Sequence, residues 1–181
     1  MVYEPREDSF LLKKHIKEYA YGLVLDMGTG SGIQAQEAAK SKKVKKVYAV
    51  DIDPEAIRYC KSDLKSKKIV WKRSDLFSIF QKQKTKPKFD FIIFNPPYLP
   101  EDARLKDQNL DGGKKGYELT IEFLNQSKTF LQKDGKILLL FSSLTNKKII
   151  DNTIRKLNLK SERIDSEKHF YEELYVYLIR K

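Results

Sequence analysis

Residues 22–41 read GLVLDMGTGSGIQAQEAAKS, and the fold turns on them. The apolar run GLVLDMG (22–28) has the composition of a buried strand entering a turn, and SGIQAQEAAKS (31–41) has that of a helix. Between them Gly28, Gly30 and Gly32 stand at every second position. Glycine lets a chain turn sharply and lets a ligand approach the backbone closely. The spacing is G-x-G-x-G. It differs from the G-x-G-x-x-G of dinucleotide-binding turns, and no Gly-Lys-Ser or Gly-Lys-Thr follows, as a P-loop would require. By itself the stretch is compatible with nothing more than a tight turn.

Outward from it the same alternation repeats. SFLLKKHIKEY (9–19) reads as a helix and KKVYAVDID (45–53) as a second strand. PEAIRYCKSDLKS (54–66) is a helix with Pro54 at its first position, where a missing N–H does no harm. KIVWKRSD (68–75) and FDFIIFNP (89–96) are the third and fourth strands. GYELTIEFLNQSKTFLQ (116–132) is an amphipathic helix with Leu119, Phe123, Leu124, Phe130 and Leu131 available to its buried face. GKILLLFSS (135–143) is a fifth strand and NKKIIDNTIRKLN (146–158) a helix. KSERIDSEKHF (160–170) and ELYVYLIRK (173–181) finish as two strands with no helix between them.

Alternating strands and helices predict a parallel sheet with helices on both faces, and the final pair predicts an antiparallel addition at one side. No internal repeat, low-complexity tract or linker interrupts the chain, so residues 1–181 are expected to form one domain. The irregular stretch LPEDARLKDQNLDGGKKG (99–116) is long for a loop in a compact domain, and such loops are usually functional.

The strand ends carry polar residues in a telling series. Asp26 sits just before the first glycine and can meet an ammonium group. Asp51 ends the second strand about 20 residues after the turn, where a carboxylate can accept both hydroxyls of a ribose. Asp75, in SDLF after the third strand, lies beside the same crevice and can recognise an adenine edge. Each aspartate alone is an ordinary strand-end residue. Together they line the carboxyl ends of successive strands, where open α/β sheets bind ligands. The fourth strand ends in Asn95-Pro96-Pro97-Tyr98, and two prolines forbid further pairing because neither has an N–H to donate.

Composition narrows the function classes. The single cysteine, Cys60, excludes an intrachain disulfide and a cysteine metal cluster, and implies a reducing, intracellular setting. It lies mid-helix among Ile57, Tyr59 and Leu64, as a small core residue would. His15 and His169 are far apart and show no metal-ligand spacing. No run approaches a membrane span and no signal peptide opens the chain, so a cytoplasmic protein is expected. The net charge of +11 attracts nucleic acid or an acidic partner non-specifically. Yet lysine outnumbers arginine by 29 to seven, and the lysines are scattered. A nucleic-acid stripe would more often interleave arginine with aromatics.

With LDMGTGSG, VDIDPEAI, RSDLF, NPPY, LDGGKKG and FYEELYVYLI in that order, and VYEPREDSFLL at the start, the chain resembles the class I methyltransferases that use S-adenosyl-L-methionine. Within them it is similar to the short archaeal and eukaryotic branch of the HemK family of protein N5-glutamine methyltransferases. The resemblance covers nearly the whole chain. It implies a Rossmann-like, seven-stranded, mostly parallel sheet with an antiparallel last strand. It also implies roles: Asp26, Gly28, Gly30 and Ser9, where the family usually has threonine, contact the methionine part of the cofactor. Asp51 holds the ribose, Asp75 and Leu76 flank the adenine, and Asn95 faces cofactor and substrate.

The acceptor nitrogen of a glutamine amide, like the exocyclic amine of adenine, is planar with a delocalised lone pair. The Asn95 side-chain oxygen and the Pro96 carbonyl can accept hydrogen bonds from its two N–H groups, and Tyr98 can pack flat against the acceptor beside Pro97. Asp8 and Glu7, which could be read as bases, are expected to cap the first helix.

The expected activity is methyl transfer to the GGQ glutamine of a peptide chain release factor. The rival is N6-adenine methylation of DNA or RNA through the same NPPY chemistry, which charge favours slightly and the want of room for a recognition domain disfavours. A non-catalytic binding module is a third possibility, opposed by the intact NPPY and glycine turn. The helical substrate domain of the bacterial HemK enzymes is not expected here, because only 21 residues of the sequence precede the first strand. The short branch implies instead a small zinc-binding activator. It would dock on the edge of the third strand, where at least one of Ile69, Val70 and Trp71 should point away from the core.

Overall fold

The computed structural model describes residues 4–98 and 115–181. The 99–116 stretch singled out above therefore lies, save its last two residues, outside the described residues. One sheet contains seven strands in the order β3-β2-β1-β4-β5-β7-β6. β1 (Gly22–Met27), β2 (Val44–Asp51), β3 (Ile69–Arg73), β4 (Phe89–Phe94) and β5 (Leu131–Ser142) are parallel. β7 (Glu173–Arg180) runs antiparallel to both β5 and β6 (Lys160–Lys168). The expected mostly parallel sheet with an antiparallel last strand is thus what forms.

Side chains alternate between two cores because the strand period is two. Val24, Val47, Phe91, Ile93, Leu138 and Val176 face the layer of α1 (Glu7–Tyr19), α2 (Ile33–Lys40) and α3 (Pro54–Asp63). Leu25, Ile92, Phe94, Leu139 and Tyr177 face α4 (Ser78–Gln81), α5 (Glu118–Phe130) and α6 (Lys147–Lys156). Near-continuous apolar strands are the consequence of being covered on both sides. The second core is aromatic: Phe77 stacks on Phe130 at 4.7 Å, and Phe94 meets Phe123 at 4.3 Å. That last contact pins the residue directly before Asn95 and so fixes where β4 releases the NPPY segment.

Two of the boundaries that differ from the sequence expectation adjoin each other. α5 stops at Phe130, and β5 begins at once with Leu131 opposite Phe89. Leu131 is fully buried, and at Gly135 a Cβ would lie only 2.9 Å from the Phe89 carbonyl, so the start of β5 hugs its neighbour. Tertiary packing, not helix period, ends α5. The four-residue α4 is too short to show a period at all.

Candidate active site

The sequence candidates from Asp26 to Tyr98 follow the carboxyl ends of four adjacent strands, β3-β2-β1-β4. From β1 the chain goes outward through β2 and β3; it then returns to β4 on the other side of β1. The crevice between the ends of β1 and β4 is therefore the point at which strand order reverses, the usual ligand position in such sheets. The glycine turn leaves β1 on one side of it and Asn95 leaves β4 on the other.

The turn is held by its own backbone. Gly28, Gly30 and Gly32 all have left-handed φ, at 62°, 50° and 79°. The Thr29 N–H donates to Val50 O at 2.9 Å and the Gly32 N–H to Thr29 O at 2.8 Å. The Gly30 N–H donates to Asp51 Oδ2 at 2.8 Å, and the Cys60 thiol lies behind the Gly30 carbonyl at 3.4 Å. Burial pushes that thiol up to about 12, so Cys60 is the inert core residue expected.

Asp26 is buried beneath the turn. Its Oδ2 accepts from Thr29 Oγ1 at 2.6 Å and from the Ala35 N–H at 3.0 Å. Burial pushes its carboxyl up to about 7; the two hydrogen bonds oppose this, and neighbouring Asp51 adds to it. Asp51 is also raised, chiefly by burial, against the pull of backbone N–H groups. Its Oδ1 accepts from the Asp53 N–H at 2.9 Å. Each Asp51 oxygen keeps a further lone pair for a ligand hydroxyl.

Beyond β3, Asp75 is exposed and Leu76 is buried with φ of 41°, a conformation uncommon for a non-glycine residue and worth strain at functional sites. Ser74 holds it there, donating to Leu76 O at 2.8 Å and accepting from the Ile79 N–H at 3.2 Å. Ser9, on α1, is buried; its carbonyl accepts from Gln34 Nε2 at 2.9 Å, which ties α1 to α2.

At the end of β4, Pro96 is buried, Asn95 and Pro97 are half-buried, and Tyr98 packs against the core beneath α1–α3. Asn95 Nδ2 donates to Asp8 Oδ2 at 2.8 Å, and Asn95 Oδ1 is covered without a hydrogen-bond partner. The capping role expected of Glu7 and Asp8 is corrected here. The N-cap of α1 is Arg6, with no side-chain capping bond, while the Asp8 carboxylate accepts from the Ser9 N–H at 2.7 Å and from Asn95. Thr29, Gln34, Ser74 and Asp8 are the site-forming residues that sequence reasoning missed or misassigned. Acidic residues at a helix start look alike whether they cap it or reach a residue 87 positions away.

Residues 7–171 match the methyltransferase small domain family. This chain belongs to that family. As a methyltransferase it is 38% identical over 182 residues to a protein of Methanocaldococcus jannaschii provisionally named a protein N5-glutamine methyltransferase, covering 97% of this chain and 89% of that one. It is 34% identical over 122 residues to the release factor glutamine methyltransferase of Bacillus cereus, covering 61% of this chain but 42% of that longer protein. Among solved structures, the E. cuniculi Mtq2–Trm112 complex, responsible for methylation of the eRF1 translation termination factor, matches with a TM-score of 0.77 at 22% identity. The match covers 99% of this chain and 98% of that one, a likeness of fold. Among the described residues no helix is long and apolar enough to cross a membrane.

Proposed function

We propose that this methyltransferase transfers a methyl group from S-adenosyl-L-methionine to the side-chain amide nitrogen of the GGQ glutamine of a peptide chain release factor, in the cytoplasm, with residues 1–181 acting as one catalytic domain. The observation that carries the choice of acceptor is the near end-to-end similarity to a protein provisionally named a protein N5-glutamine methyltransferase. Bacterial release factor enzymes support it over a shorter span.

The residues present suit the cofactor. A turn with three left-handed glycines leaves its backbone open to close approach, Asp51 has lone pairs to spare, and Leu76 is held in an uncommon conformation at the crevice. Asp26, Gly28, Gly30 and Ser9 would hold the methionine part, Asp51 the ribose, and Asp75 and Leu76 the adenine. When bound, S-adenosyl-L-methionine supplies a methyl already activated on a sulfonium. The chain's task is then to aim the acceptor. Asn95 Oδ1 and the Pro96 carbonyl accept the two amide N–H groups, and Pro97 and Tyr98 bound the plane in which the amide lies. Positioning and preoriented acceptors of this kind contribute several kcal/mol, on the order of the effects of single preorganised hydrogen bonds.

A small zinc-binding activator docked on the β3 edge is part of the proposal, supported by the two-protein assembly of the fold neighbour. Incubation of the chain, co-expressed with the activator, with labelled cofactor and, separately, release factor, DNA and tRNA tests it. Label in the release factor is expected. Label in DNA or tRNA alone would replace it with adenine methylation, and label in none with a binding module.

A further inference from the structure

We infer that Asp8 is the positioning residue for Asn95, selecting which end of its amide faces the acceptor nitrogen. The inference deepens the proposal above and rests on it for the identity of the reacting group. An asparagine amide has two ends of similar size and opposite hydrogen-bonding character, and β4 determines where the side chain sits but not which way round it lies. An ionised carboxylate only accepts hydrogen bonds. With Asp8 Oδ2 at 2.8 Å, the NH2 end of Asn95 must point at Asp8, and the carbonyl oxygen must point away. That oxygen is covered and has no partner, which costs free energy unless a donor is to be received there. An acceptor that reaches it has to displace the covering atoms.

Asp8 is itself fixed. It is 5% exposed, its second oxygen takes the Ser9 N–H at 2.7 Å, and α1 is locked through Leu11, Leu12 and Ile16, none more than 1% exposed. Gln34 joins the Ser9 carbonyl to α2 at 2.9 Å. The carboxylate thus stands on a rigid element and does two things at once. It orients the amide, and by accepting a charge-assisted bond it draws electron density toward Oδ1, strengthening that oxygen as an acceptor. This gives α1 a task in the chemistry that its sequence, EDSFLLKKHIKEY, does not advertise.

The test is Asp8→Asn. The introduced amide can keep the Ser9 N–H through its carbonyl, which turns its own NH2 toward that of Asn95 and favours the flipped Asn95 amide. The expected result is a fall in kcat of about a hundredfold, the scale of a small misplacement of reacting groups. The dissociation constant of S-adenosyl-L-methionine should stay within about twofold, because Ser9 and the turn are retained. Glu7→Gln removes the same charge from the same helix terminus and should leave kcat unchanged.

In an Asn95→Ala background, Asp8→Asn should have no further effect. Unchanged kcat, a loss of cofactor affinity equal to the loss of rate, or additive effects of the two substitutions would each overturn the inference. If Asp8→Asn does not fold, the wild-type protein decides by NMR. The Asn95 side-chain amide, assigned by its disappearance in Asn95→Ala, should show one downfield proton protected from exchange. An ordinary, rapidly exchanging pair would overturn it. Rates are taken on whichever acceptor the wild-type protein labels, so failure of the release factor as substrate remains separate from failure of Asp8.

Discussion

In its proposed role Asp26 sets stability against binding. The gap between its ordinary 3.8 and about 7 corresponds to on the order of 4 kcal/mol. Below the ordinary value both folded and unfolded states hold the proton and nothing is lost. Between about 4 and 7 the unfolded chain ionises first, so the folded state binds more protons and stability falls as pH rises. Above about 7 the full penalty is present. Asp26→Asn, whose carbonyl can still accept from Thr29 and Ala35, should therefore raise the unfolding midpoint of the cofactor-free protein at about pH 8 and change it little at about pH 4. The same substitution should weaken cofactor binding, since a cofactor ammonium needs the charged form. In the wild type, cofactor binding near about pH 6 should release a proton, detectable by calorimetry in buffers of different ionisation enthalpy; heats that do not depend on the buffer would separate Asp26 from the ammonium. Asp51→Ala should weaken the cofactor by roughly 1.5–3 kcal/mol, the scale of charged hydrogen bonds removed from a site. An unchanged dissociation constant would remove it from the ribose role.

The glycine turn and α2 act as one element, and its glycines are not equivalent. At Gly32, φ is 79° and a Cβ would lie 2.6 Å from Leu64, 3.0 Å from Trp71 and 3.1 Å from Cys60. Gly32→Ala should cost on the order of 2–5 kcal/mol, a left-handed penalty of about 1–2 plus overpacking of about 1–3. At Gly28 a Cβ would meet only Phe94, at 3.5 Å, so Gly28→Ala should cost about 1–2 kcal/mol from the backbone alone. Denaturant midpoints compare the two, and equal losses would show that packing beneath Gly32 is not the cause. Why this turn was legible follows from the same contrast. Spaced glycines after an apolar run are a local signal, as are Asp51 at a strand end and two prolines after FDFIIF. The start of β5 and the partners of Asp8, Gln34 and Ser74 were not legible, because each depends on atoms brought close by packing rather than by neighbours in sequence.

The whole molecule ends in two sheet edges, β3 and β6, and they are built differently. β6 lines its edge with exposed charge, Lys160, Glu162, Arg163 and Lys168 among them, which discourages a further strand. On β3 the Lys68 carbonyl accepts from the Val47 N–H and the Ser74 N–H donates to Asp51 O, so residues 68, 70, 72 and 74 turn their backbone groups to β2. Residues 69, 71 and 73 turn theirs to the open edge, and the Ile69 N–H is taken by Ser66 O at 3.4 Å. Trp71 and Arg73 therefore present the groups that an added strand would use, while the Trp71 side chain is buried in the core under the glycine turn. Of the three edge residues weighed from the sequence, only Val70 is half-exposed; Ile52, at 57% exposure, lies beside Arg73, whose Nε donates to Ile52 O. Proline at Val70 would remove a bond to β2 and damage the sheet itself. Arg73→Pro removes an outward N–H and the exposed bond from Arg73 Nε to Ile52 O at 3.0 Å, and no bond to β2. It should abolish co-purification with the activator while leaving the unfolding midpoint of the lone chain nearly unchanged. Undiminished co-purification would move the activator off this edge, and full activity of the isolated chain on its release factor would show that no activator is needed.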